Sequence, residues 1–119
     1  MLQSNGIMFG WNRPVAGREA MAGELFKSTT SWLEKWKVQG NIESWEPVFL
    51  QTHGGDLNGF FWIRCTPTQL TTLKSNDEWV DIVMRAGQYL TGVGVIECYA
   101  GSSTVQDLMS RWTRTIPAR

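Results

Sequence analysis

The chain has 119 residues, 42% of them hydrophobic and 18% charged, enough apolar content for one buried core and too little length for two ordinary domains. Eleven basic and eleven acidic side chains cancel, which leaves no electrostatic footprint for nucleic acid or for an anionic membrane surface. Two cysteines are too few for a disulfide scaffold, and no apolar run approaches the roughly 20 residues of a membrane span.

Residues 1–6 are polar and expected to be loose, with residues 7–119 forming one domain. They lack the basic start and apolar stretch of a secretion signal, so a reducing, cytoplasmic setting is expected. Ile7 to Asn12 (IMFGWN) reads as a strand closed by Arg13-Pro14. Arg18 to Gln39 reads as a long amphipathic helix. Met21, Ala22, Leu25, Phe26, Trp32, Leu33 and Trp36 fall within an arc of about 140° at 100° per residue. Only Thr29 interrupts that arc, and Lys and Glu fill the rest of the wheel. Glu43 to Gln51 is a second strand, placed at an edge by Pro47, which cannot donate to a ladder. Thr52 to Gly59 has the composition of a hairpin loop, and Phe60 to Cys65 is a third, nearly all-apolar strand.

Three capping boxes follow, each marking a helix start: Thr66-Pro67-Thr68-Gln69, Ser75-Asn76-Asp77-Glu78 and Ser103-Thr104-Val105-Gln106. The helix from Trp79 to Leu90 is apolar over about 220° of its surface, which predicts more than one neighbour. Val93 to Ala100 is the fourth strand. The last helix runs to Ile116 and carries Val105, Leu108, Met109, Trp112 and Ile116 in a stripe about 100° wide. The order β-α-β-β-α-β plus a terminal helix is a ferredoxin-like α+β arrangement. Right-handed crossovers give an antiparallel sheet in the order 4-1-3-2. Cys65 and Cys98 then lie on strands separated by the first, roughly 9–10 Å apart and beyond disulfide reach.

Alternation splits the strands into two sets. Met8, Gly10, Phe61, Ile63, Cys65, Gly94, Ile96 and Cys98 are small or aliphatic and are assigned to the helix-covered face. Ile7, Phe9, Trp11, Phe60, Trp62, Arg64, Val93, Val95, Glu97 and Tyr99 form an aromatic second face, with Trp45 and Phe49 as candidates for it. Such a face is too apolar to stand open in water, and a second copy of the same sheet is its simplest cover.

The element order, the split helix Thr66–Leu90 with its junction from Leu73 to Trp79, and Gly92-Val93-Gly94-Val95 opening the last strand together resemble the dimeric α/β-barrel superfamily. That resemblance implies a homodimer whose sheets pack face to face around a cavity. It spans functions from cofactor-independent monooxygenases and haem-binding or haem-degrading proteins to isomerases and regulators. It also points at Asn12, because some members place a polar catalytic residue at the end of strand one. The set of Asn, Trp and helical His is incomplete here, and no catalytic role is carried over.

The remaining candidates come from the residues themselves. Trp11, Trp62 and Tyr99 read as interface core or as ligand walls. Arg64 and Glu97 read as a cross-sheet ion pair or as polar anchors in an apolar cavity. His53, the only histidine, reads as a solvated loop residue or as a base over the cavity mouth. One histidine and two cysteines on separate strands offer no metal-ligand spacing, and no phosphate-binding glycine loop or nucleophile elbow occurs. No metal or cofactor is expected. The expected function is a homodimeric domain holding a small hydrophobic or aromatic molecule between its sheets. A cofactor-independent oxygenase-like enzyme and a structural dimer with a filled core are the alternatives. Neither a nucleic acid nor a membrane is expected as partner.

Overall fold

A computed structural model describes residues 2–118. Its elements run β1 (Gly6–Trp11), α1 (Glu19–Val38), β2 (Ser44–Phe49), β3 (Gly59–Arg64), α2 (Pro67–Lys74), α3 (Asp77–Tyr89), β4 (Gly94–Cys98) and α4 (Ser102–Thr115). The four strands form one antiparallel sheet in the order β2-β3-β1-β4, the expected order read from the other edge. Pro47 sits on the edge strand β2, where its missing N–H costs no ladder bond. This is a ferredoxin-like α+β fold.

Asn5 and Gly6 are tied in rather than loose. Gly6 pairs with both Arg64 and Cys98, and the Asn5 backbone donates to Cys98 and accepts from Cys65. Met1 and Arg119, at the ends of the expected loose segment and domain, lie outside the described residues.

Local chemistry explains where the helices begin. Thr66 caps α2 in a full capping box, with Gln69 answering its backbone N–H, and Pro67 opens the helix. The second expected box is corrected by one residue. Ser75 closes α2, and it is Asn76 whose side chain accepts from Trp79 N–H to start α3. The third box is not used: α4 begins at Ser102 after Gly101, whose φ of +95° makes the turn, with no side-chain cap.

The core lies between the sheet and the α1/α3 layer. Ile7, Ile63, Leu33 and Leu73 are fully buried there, and Phe9, Phe61, Trp36 and Trp79 nearly so. Trp32 stacks on Trp36 at 4.5 Å and on Trp79 at 6.0 Å, joining the two helices.

Register settles the two faces and corrects their assignment. Ile7 faces Ile63 and Phe9 faces Phe61 across β1–β3, while Ile7 faces Glu97 and Phe9 faces Val95 across β1–β4. Directly paired residues share a face. The helix-covered side is therefore Ile7, Phe9, Trp11, Trp45, Pro47, Phe49, Phe61, Ile63, Val95 and Glu97. The open side holds three rows: Val48-Phe60-Gly10-Gly94, Glu46-Trp62-Met8-Ile96 and Ser44-Arg64-Gly6-Cys98. The expected sides hold for strand three. Strands one and four are reversed, and the candidates Trp45 and Phe49 of strand two lie on the helix-covered side, because alternation defines two sets per strand but not which set meets which across the ladder.

Candidate functional site

Trp11 of β1, Phe49 of β2, Phe61 of β3 and Phe26 of α1 converge on the helix-covered side at the end of the sheet where Trp11, Gly59 and Phe49 pair in a row. Gly59 makes this possible. A Cβ there would lie 2.9 Å from both the Trp11 and Phe49 rings, so only glycine lets the two rings meet edge to face across it at 6.2 Å. Phe26 of α1 stacks on Phe49 and on Phe61, each at 5.2 Å, and meets Trp11 edge-on.

These rings border a cavity of about 300 Å³. Phe9, Trp11 and Phe61 line it from the sheet, and Leu25, Ala22 and Thr29 line it from α1. Ala86 and Leu90 line it from the α3 side, and Phe26, Phe49, Gly23, Pro14 and Glu19 stand around it as well. Its lining is dominated by apolar groups. Thr29, the single break in the apolar arc of α1, is 1% exposed and borders this space. Glu19 is the charged group. Hydrogen bonds from Gly17 N–H at 2.9 and 3.1 Å, and from its own backbone N–H, hold its carboxyl below the ordinary carboxylate range. It is a fixed negative charge at neutral pH.

The sequence-predicted residues do not gather in one place. Trp11 is in the aromatic cavity. Trp62 and Arg64 are on the open side, Trp62 in the row with Met8 and Ile96. Its ring lies over Gly6. Glu97 is on the opposite side from Arg64 and pairs instead with Lys74 of α2 at 3.3 Å. The expected Arg64–Glu97 pair is thus excluded by register: Arg64 faces Gly6, one residue out of phase with Ile7, which faces Glu97. Arg64 reaches Gly101 at the root of α4.

Asn12 is a joint. Its N–H donates to Thr91, its carbonyl accepts from the Asn58 side chain, and its amide packs on Gly92, whose φ is +63°. His53 is engaged inside its own loop, with Nε2 2.7 Å from the Leu57 carbonyl and Nδ1 accepting from Gly55 N–H. Tyr99 follows β4 and is 44% exposed. Cys65 and Cys98 are both free. Burial, then the charges of Glu43 and Glu97, push the Cys65 thiol up to about 11, so it is not a nucleophile at neutral pH.

No family model matches the chain, and no curated protein matches it. Among solved structures it is similar to a dimeric protein of unknown function and ferredoxin-like fold from Bacteroides fragilis NCTC 9343. The two share 10% sequence identity at a TM-score of 0.55, over 82% of this chain and 98% of that one. At that identity the likeness speaks to the fold. No helix among the described residues is long and apolar enough to cross a membrane.

Proposed function

We propose that the chain acts as a homodimeric binding domain, joined through its open sheet sides, in which each protomer holds a small aromatic molecule in the cavity beneath α1. The observation that carries the binding reading is the cavity itself. At about 300 Å³ and walled by aromatic rings, it has the size and chemistry of a small-ligand pocket. This differs from a site between the two sheets: of the aromatic rings expected there, Phe9 and Trp11 lie on the helix-covered side, while Phe60 and Trp62 stay on the open side. The ionised Glu19 favours neutral or cationic molecules over anions.

The dimer is supported by the open side, where Met8, Phe60 and Trp62 are half-buried and Ile96 is 53% exposed. A contiguous apolar patch of this kind marks an association surface. The similar Bacteroides fragilis protein is itself described as dimeric. Two unpaired thiols support a reducing, cytoplasmic setting.

Titration with 2-naphthol, followed by tryptophan fluorescence, tests the binding reading. Saturable quenching with one site per protomer is expected, with weaker binding of 2-naphthalenesulfonate. Gly23 borders the cavity, and a Cβ there meets nothing within 4 Å. Gly23→Leu is therefore expected to abolish binding while the melting temperature holds or rises, since leucine is the better helix former. Absence of saturable binding by the wild-type protein, or undiminished binding by Gly23→Leu, would contradict it.

A further inference from the structure

Helix α4 is the least covered element of the protein. None of its residues is buried. Its stripe of Val105, Met109, Trp112 and Ile116 is 44–60% exposed, with Leu108 half-buried beside it. The opposite, polar flank, from Ser103 and Thr104 to Ser110, borders the groove toward Leu2, Gln3, Asn5 and Pro67. The apolar stripe therefore faces away from its own subunit. A helix of 14 residues is marginal in water by itself, and this one has no side-chain cap. Its stripe needs a surface.

That surface is on offer from a second copy. A monomer of this mass is expected to expose about 6,500 Å². The chain exposes 7721 Å², an excess of about 1,200 Å² per protomer over that scaling. Its radius of gyration, 16.5 Å, likewise exceeds the roughly 13.5 Å of a compact chain of this length. The open sheet side alone does not account for a stable interface. Four strands about 4.8 Å apart and six residues long make a footprint of about 400 Å². A stable dimer needs about 800 Å² per partner. A helix 21 Å long and about 10 Å wide, given to the partner and received from it, supplies roughly the missing half.

The root of α4 is continuous with the open side. Asn5 holds it through Ala100, accepting from its N–H at 2.7 Å and donating to its carbonyl at 2.9 Å. The Arg64 guanidinium, from the open side, lies 2.9 Å from where a Cβ on Gly101 would sit. The chain is electrically neutral, so two copies approach without net repulsion. The charged residues of α4 are Asp107, Arg111 and Arg114, a mixture unlike the Lys/Arg-rich face of a membrane-surface helix.

We infer that α4 is a reciprocal clasp, in which each protomer lays the Val105–Met109–Trp112 stripe on the partner subunit and so completes an interface that the sheets begin. The inference rests on the sheet-to-sheet dimer proposed above, and the test separates the two. Sedimentation equilibrium is run on the full chain, on Trp112→Glu, on Met109→Ser and on Trp62→Glu. Trp112 and Met109 are exposed, so neither change threatens the subunit core. The wild-type protein is expected to be a dimer. Trp112→Glu is expected to raise the dimer dissociation constant about 100-fold, in the range of a lost anchor residue, and Met109→Ser to raise it about tenfold. Helical signal is expected to fall as the dimer dissociates. A wild-type dimer that Trp62→Glu breaks, but that keeps its full affinity in Trp112→Glu and Met109→Ser, overturns the clasp and leaves the sheet dimer standing. The same result overturns it if α4 instead captures a vesicle or another protein. A wild-type monomer overturns both.

Discussion

Phe60 and Phe61 are neighbours in sequence and live in different worlds. Phe61 points to the helices, is 3% exposed and touches Phe9, Trp11 and Phe26. Phe60 points to the open side, between Val48 and Gly10, and is half covered. The sheet is apolar on both sides, so composition does not separate them. What separates them is whether the chain itself supplies a cover. The helix-covered side holds the subunit together; the open side keeps apolar area that the chain itself leaves partly uncovered.

Truncating each residue breaks that comparison open most widely. Phe61→Ala is expected to cost about 3–5 kcal/mol of subunit stability in urea, through lost burial and a cavity that rigid rings do not fill. Phe60→Ala is expected to cost less than about 1 kcal/mol within the subunit and to act on dimer dissociation instead. Equal costs would mean that the two sides do not differ as described.

A smaller effect probes the aromatic end of the covered side. Gly59→Ala places a Cβ 2.9 Å from the Trp11 ring, the Phe49 ring and the Val48 carbonyl. Overpacking of this kind is expected to cost about 1–3 kcal/mol in thermal melts, and to distort the cavity enough to weaken 2-naphthol. An unchanged melt would mean that the rings relax freely and do not frame the site.

Much of this architecture was legible in the sequence, for reasons tied to particular residues. The 3.6-residue apolar period of α1 reported its buried face, and Pro47 reported an edge strand. Thr66-Pro67-Thr68-Gln69 announced α2 because a capping box is a local structure. The phase of the strands was not legible. It depends on the pairing of Ile7 with Ile63 and of Phe9 with Phe61, a contact between residues more than fifty positions apart. Grouping large aromatics together on one side therefore misplaced Phe9 and Trp11. The cavity was hidden for the same reason, since Phe26, Phe49 and Phe61 come from three elements. Its one local signal was Thr29, a polar residue interrupting the buried arc of α1.

The smallest expected effect concerns Cys65, just past the covered end of β3. Its thiol is raised from an ordinary value near 9 to about 11, chiefly by burial. Between these values the unfolded chain loses its proton and the folded one keeps it. Stability is then full below pH 9 and falls as pH rises toward 11. Urea titrations of Cys65→Ala against the parent should show this extra alkaline loss only in the parent. A parallel alkaline decline in both proteins would contradict the buried-thiol assignment.

The central claim is that the open side of the sheet is covered by a second copy of the chain. Sedimentation equilibrium of the wild-type protein and of Trp62→Glu, both at micromolar concentration, tests it most directly. Trp62 lies in the middle row of that side, so the substitution puts an unpaired carboxylate inside the interface. The account predicts twice the chain mass for the wild-type protein and the chain mass for Trp62→Glu. A monomeric wild-type protein, or a Trp62→Glu variant that remains a dimer, would contradict it.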